Sequence, residues 1–228
     1  MAGETVKTTA VCLSISPWSR TSHVVTWLTP HGKVATSVKG AVRPKSAFLG
    51  QYDLNYECEI VYYLRARGDL HALRECSPLE THEPLRSSYR ALLLAEHFRK
   101  VAADLAPPGP ESAAWMELLA DSLASLHGGA GLLAQMLRFE TRALRLAGLS
   151  PEIEAVTGSF ALRGERRMPV PAAVARCIGN PLAEKNPQIL LDAARAIGVF
   201  YSFHLDGVPE TRRALAGMIA TKEEGQQR

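Results

Sequence analysis

Apolar and polar residues alternate with the period of a β-strand through the first eighty positions, and beyond Pro84 they recur with the period of a helix. Val6–Ile15 is one apolar-rich run. Ser22–Thr29 carries Val24, Val25 and Trp27, and Pro30-His31-Gly32 then breaks the chain. Val34, Thr36 and Val38 follow, alternating with Lys33, Ala35 and Ser37 up to Lys39. This is a strand–turn–strand pattern. Asp53–Ala66 reads as a fourth strand, with Tyr56, Ile60, Val61, Tyr62 and Tyr63. Arg67-Gly68-Asp69 forms a tight turn, and Leu70–Cys76 closes the series. Five strands in so short a stretch predict a small closed barrel, because a two-layer sandwich usually needs more. Pro78 marks its end, which divides the chain into domains at 1–80 and 81–228.

In the second domain Leu85, Tyr89, Leu92, Leu93 and His97 recur at i, i+4, i+7, i+8 and i+12. They predict a helix running to Leu105 and stopped by Pro107-Pro108-Gly109-Pro110. Ser112 is placed to cap a second helix, with Trp115, Leu118, Leu119, Leu123 and Leu126 inward and Gly128-Gly129 as its stop. A third helix spans about Gly131 to Ala147 and ends at Gly148. Ser150–Pro187 reads as irregular, with a short helical piece around Val170–Ile178. Asn186-Pro187 then resembles an N-cap followed by proline at the first helical position. Leu190, Leu191, Ala194, Ile197, Phe200, Tyr201 and Leu205 give that helix a buried face. A last helix is expected from Pro209 to about Ala220, with TKEEGQQR as a frayed polar tail.

Composition narrows the class. The 228 residues are 46% hydrophobic and 21% charged, which excludes a disordered tail or a coiled coil. Uncharged stretches such as Gly129–Leu137 are too short to cross a bilayer as a helix. The opening MAGETVKTTAV lacks the pattern of a secretory signal, so a cytoplasmic protein is expected. The net charge of +3 says little, but its distribution says more. Thr5–Tyr52 holds no Asp or Glu, yet carries Lys7, Arg20, Lys33, Lys39, Arg43 and Lys45. Such a surface attracts polyanions, although chance and solubility would also leave such a run. Within it, Gly40–Gln51 is bracketed by glycines and broken by Pro44, and its Arg43 and Lys45 suit a flexible clamp on a phosphate backbone. Trp18, Trp27, Phe48, Tyr52, Tyr56, Tyr62 and Tyr63 lie among these cations. Rings so placed stack on bases or fill the barrel core, and for any one ring the core is the commoner role.

Signals for catalysis are poor. No G-x-G-x-x-G, Walker loop or H-E-x-x-H is present. Asp53, Glu57 and Glu59 share parity on a regular strand and could mimic a metal site, but solvated strand carboxylates are the preferred reading. The seven histidines are scattered. Cys12, Cys58, Cys76 and Cys177 form no C-x-x-C pair, and reduced, buried thiols are expected. No catalytic residue, metal ligand or cofactor is therefore assigned. Arg138, Arg142 and Arg145 share one face of the third helix, spaced i, i+4 and i+7. They make either a basic ledge for DNA phosphates or an acidic peptide, or a solvated face partly neutralised by Glu140. Both readings stand.

Two blocks carry a family resemblance. One runs from Lys39, Gly40, Arg43 and Ser46 to a Gly68-Asp69-Leu70 turn and the first helix; the other is LLAQMLRFETRALRLAGLSPEI, Leu132–Ile153. Over roughly residues 10 to 153 the chain resembles RecO, a family of bacterial recombination mediators. The resemblance implies an α+β protein, with a five-stranded OB-fold barrel at 1–80 followed by an all-helical domain at 81–228. It implies binding of single- and double-stranded DNA and annealing of complementary strands. It also implies partnership with a RecR-like mediator, single-strand binding protein and a RecA-type recombinase, a cytoplasmic and nucleoid-associated setting, and no enzymatic or membrane role. Arg20, Lys33, Lys39, Arg43, Lys45, Arg65, Arg67 and Arg74 are the expected DNA contacts. Many members carry a four-cysteine zinc site in the region matching 150–187. Here Cys177 is its one cysteine, so the site is expected to be lost. An RNA-binding OB-fold module and a non-catalytic protein adaptor remain the alternatives.

Overall fold

The computed structural model describes residues 4–65, 67–128, 131–150, 153–154, 159–163, 166–204 and 210–215. The predicted tail, 221–228, lies outside them, as do Leu205, Pro209 and the end of the last predicted helix, 216–220. The chain packs as two units, Met1–Glu83 with Ala102–Ala124, and Pro84–Val101 with Ser125–Arg228.

Five strands, β1 (Thr5–Ser19), β2 (Ser22–Thr29), β3 (Gly32–Val38), β4 (Glu57–Tyr63) and β5 (Leu70–Glu80), close into a barrel of order β1-β2-β3-β5-β4. This is the expected OB-fold. All neighbours are antiparallel except β3 and β5, which pair in parallel from Ala35↔Leu70 to Ser37↔Ala72. β1 serves both halves of the barrel. Its first residues pair with β4 from Thr5↔Tyr63 to Val11↔Glu57, and from Val11 onward it pairs with β2. A register shift between Cys12 and Ser14 bends it there. The barrel core follows from period two: Cys58, Ile60 and Tyr62 point inward from β4 to meet Ala10, Cys12, Val25, Trp27, Val38, Leu73 and Cys76. The buried Trp27 indole N–H donates to Thr36 Oγ1 at 2.8 Å, so the largest core ring leaves no polar atom unpaired. The fourth strand begins at Glu57, four residues later than the sequence pattern suggests, because Asp53–Tyr56 forms a turn in which Asn55 takes a φ of 68°.

Three long helices are α1 (Tyr89–Leu105), α2 (Ser112–Ser125) and α3 (Leu132–Leu146). A three-stranded antiparallel sheet follows, β6 (Ile153–Glu154), β7 (Ser159–Arg163) and β8 (Arg166–Pro169), then α4 (Ala172–Gly179) and α5 (Pro187–His204). A helical segment covers 210–215. The sheet corrects the irregular reading of Ser150–Pro187: strands of two to five residues contain too few alternations to reveal their period. The buried stripe of α1 is corrected in part: His97, and Leu85 just before the helix, are buried as read. Ala91, Leu94, Ala95, Phe98 and Val101 are buried, whereas Tyr89 is 72% exposed and Leu92 is also exposed. The buried side is thus rotated from Tyr89 and Leu92 toward Ala91, Leu94, Ala95 and Phe98. Ser112 does not act as a cap; it is the first residue of α2, and its buried hydroxyl has no hydrogen-bond partner among the described residues. Two ends follow their sequence signals. α3 stops at Gly148, φ 70°, with Leu149 N–H on Leu144 O at 2.8 Å and Gly148 N–H on Arg145 O at 3.1 Å. Asn186 Oδ1 caps α5 by accepting from Gln188 N–H at 2.9 Å.

The second unit is organised around a buried carboxylate. Arg212 Nε donates to Glu140 Oε1 at 2.7 Å and its Nη2 to Oε2 at 3.1 Å, with a further bond from Nη2 to Ala194 O at 2.6 Å. His97 Nε2 donates to Glu140 Oε1 at 2.9 Å, and its Nδ1 shares a 3.0 Å hydrogen bond with the Thr211 hydroxyl. Side chains from α1, α3 and 210–215, with a carbonyl of α5, thus meet at one point. Complete burial pushes the Glu140 carboxyl upward, but the Arg212 charge and the His97 hydrogen bond outweigh it and hold the group below its usual 4.5. A lowered carboxylate adds stability that is complete above about pH 4.5 and is lost as pH falls through the folded-state value. Glu140→Ala strands two buried donors and is expected to cost about 3–5 kcal/mol in urea unfolding. In Glu140→Gln the acid limb of the stability profile is expected to flatten.

Candidate nucleic-acid interface

β1 and β2 are joined by the two-residue turn Arg20-Thr21, closed by the pair Ser19↔Ser22. β3 runs antiparallel to β2 and ends opposite its start, with Val38 across from His23. The chain leaving β3 therefore emerges beside the β1–β2 turn. It is fastened there by Gly40 N–H on Ser22 Oγ at 3.1 Å and Val42 N–H on Thr21 O at 3.4 Å, and Arg43 N–H closes back on Gly40 O at 3.1 Å. Gly40 takes a φ of 67°, and the Arg43 side chain lies against its open face. The result is a groove of about 460 Å³ lined by Trp18, Ser19, Thr21, Ser22, Lys39, Gly40 and Arg43.

Lys39 and Arg43 are brought together on this groove, both exposed. Arg20 sits on the adjoining turn and Lys45 two residues beyond Arg43, both also exposed. Among the described residues, no carboxylate lies within ion-pair distance of these four cations. Arg74 lies at the same end of the barrel as Lys39, since each is two residues past the parallel pair Ser37↔Ala72. Its guanidinium is 5.6 Å from the Tyr63 ring centroid and 3.3 Å from Glu75. Arg65 and Arg67 are exposed in the β4–β5 connection.

Lys33 stands apart. It lies at the opposite end of β3 from Lys39, roughly 20 Å away along the strand, and its ammonium donates to Ala103 O at 2.8 Å. Lys7 is paired with Glu59 on the neighbouring strand at 2.8 Å; that hydrogen bond and charge raise the lysine pKa. The acid-free stretch is thus not free of counter-charges in space, because β4 supplies one. Arg138 and Arg142 are half-buried on α3 and Arg145 is exposed. Glu140, which partly neutralises them on one of the two readings, turns fully inward to Arg212.

The other sequence candidates separate. Asp53 accepts from Leu54 N–H at 2.8 Å, Glu57 meets His82 Nε2 at 3.1 Å and Glu59 holds Lys7, so these carboxylates do not converge. Of the seven rings among the cations, Trp27 and Tyr62 are buried, Phe48, Tyr52 and Tyr56 are partly buried against the core, and Trp18 and Tyr63 are exposed. Burial raises the Tyr52 phenol well above its ordinary value, and its hydroxyl shares a 2.8 Å hydrogen bond with His23 Nδ1. Trp18, which sequence reasoning left out of the contact residues, forms part of the groove wall. The signal for it was a large ring placed two residues before a polar turn. Cys177 is buried on α4, and burial, then Glu184, pushes its thiol up to about 11. A single thiol held protonated does not fit a structural zinc ion, whose cysteine ligands must be thiolates.

Residues 1–82 match the family model described as Recombination protein O N terminal. The chain is 30% identical to the DNA repair protein RecO of Moorella thermoacetica over 149 residues, which are 64% of this chain and 54% of that one. It therefore spans about half the length of that relative. It is 28% identical to the RecO of Anaeromyxobacter sp. strain K over 216 residues, 94% of this chain and 76% of the relative. The RecO of Anaeromyxobacter sp. strain Fw109-5 is 27% identical over 153 residues, 67% of this chain and 60% of that one. The resemblance drawn from the sequence motifs holds. At Gly40 an added Cβ would stand 3.2 Å from Arg43 Cδ on a left-handed backbone. Gly40→Ala is expected to lower stability in urea unfolding by about 1–2 kcal/mol.

Proposed function

We propose that this RecO-like chain is a DNA-binding and strand-annealing mediator of recombinational repair that helps load a recombinase onto single-stranded DNA. One observation carries the reading: Lys39 and Arg43 face an open groove at the β1–β2 turn of an OB-fold, with no carboxylate in ion-pair distance among the described residues. Oligonucleotides lie along the β2–β3 face of this fold, between the β1–β2 and β4–β5 loops. Arg20 and Lys45 extend the positive surface on one side, and Arg65, Arg67 and Arg74 carry it toward the second loop. Lys33 adds to the field but is held by Ala103.

The mechanism is electrostatic and breaks no bond. Each phosphate neutralised releases condensed counterions, which drives binding and makes it fall with salt. Two strands held against one cationic surface repel each other less, so complementary bases can pair. A RecR-like mediator, single-strand binding protein and a RecA-type recombinase are the partners that the family resemblance supports. The exposed Arg145, with Arg138 and Arg142, offers the second unit a surface for phosphate or an acidic peptide.

Changing Lys39, Arg43 and Lys45 together to Ala is expected to weaken single-strand binding. It should also reduce the slope of log affinity against log salt by about 2, at about 0.7 for each contact removed. An unchanged slope would overturn the assignment. Competition by matched RNA of equal strength would favour a general nucleic-acid module instead. Annealing of strands coated with single-strand binding protein, measured with and without the chain, tests the mediator role.

A further inference from the structure

The geometry points to Trp18 as a base-stacking residue that makes the groove prefer unpaired strands. This rests on reading the groove as a nucleic-acid site and adds to it the class of strand bound. Three observations carry it. First, Trp18 is 64% exposed, whereas the other two tryptophans, Trp27 and Trp115, are 0% and 1% exposed. An indole so open retains most of its apolar face for a ligand. Second, the β1–β2 ladder slips between Pro17↔His23 and Ser19↔Ser22, so Trp18 is the extra residue of a bulge with no partner opposite. Bulges redirect the side chain that they carry, and here that side chain lines the groove. Third, Ser19, Thr21, Ser22 and Gly40 are the other groove residues beside Lys39 and Arg43. Small residues leave the ring uncovered, and among the described residues no other ring packs on it.

Cations and ring therefore contribute different things. Lys39 and Arg43 attract phosphate whether the strand is single or paired. The ring can engage only a base whose face is free, and inside a duplex both faces are already stacked. A base on Trp18 with its flanking phosphates on Lys39 and Arg43 is the arrangement of single-strand binders.

Trp27 and Trp115 also emit, but their burial keeps a base from stacking on them, so quenching of tryptophan emission by a bound strand reports on Trp18. The probes are an oligothymidine of about twenty nucleotides, an abasic oligonucleotide of equal length and a matched duplex. Quenching by oligothymidine is expected, with neither other probe quenching when bound, and Trp18→Phe should lose the quench. Trp18→Ala is expected to weaken oligothymidine binding by about 5- to 150-fold, the range of one stacked base. Duplex affinity should stay within about twofold, with the salt slope intact. Equal weakening for both strand types, no weakening for either, or a quench that survives in Trp18→Phe would overturn the assignment. The two readings fail differently. Wild-type chain that binds no probe at low salt removes the nucleic-acid reading itself. Wild-type chain that binds through Lys39 and Arg43, with Trp18→Ala unaffected, removes only the stacking role.

Discussion

A left-handed backbone at Gly40 carries the chain leaving β3 back onto the β1–β2 turn, and the charge arrangement of the barrel follows from that fold-back. Ser22 Oγ and Thr21 O accept the amides of Gly40 and Val42, so the returning segment is held by backbone donors. The side chains of Lys39 and Arg43 are then free for solvent or ligand. The missing Cβ at Gly40 gives the Arg43 side chain its bed. Position and charge are thereby separated: the backbone does the holding and the cations remain available. A surface built in the opposite way, with its cations tied into ion pairs, would spend its field internally.

The second unit shows that opposite arrangement. Arg212 and Glu140 are buried and face each other, and His97 and Ala194 take up further hydrogen-bonding capacity. Desolvating such a pair is costly and its Coulomb gain repays the cost only with full hydrogen bonding. Directional donors and acceptors also fix the angle at which helices meet, which apolar contacts do less strictly. Gly198 is part of the same device. Any side chain there would stand 2.5 Å from Arg212 Nη1, so α5 must present a bare turn to the guanidinium.

Strand alternation, broken at Pro30-His31-Gly32 and Arg67-Gly68-Asp69, was enough to read the barrel, since β-period signals survive in runs of seven or more residues. Caps set by one residue were legible at Gly148 and Asn186. Features that depend on a distant partner were not. Nothing local marks Glu140 as buried, because Arg212 lies 72 residues away. Nothing in the acid-free run reveals that Glu59 reaches Lys7 from another strand. Lys39 and Arg43 could be read as a cluster because they are four positions apart. Lys33 looked equivalent in composition, and only the direction of β3 separates it from them.

The double duty of β1 bears on how the barrel assembles. The β1–β2–β3 meander is local and closes through short turns, but the Thr5–Val11 half of β1 waits for β4, more than forty residues on. The parallel seam between β3 and β5 spans a similar gap. Loop-closure entropy is paid before such distant pairings return any energy, so a topology of this kind folds slowly, with the seams forming late. Until they form, the half of β1 bound for β4 is an unsatisfied edge able to pair with another chain.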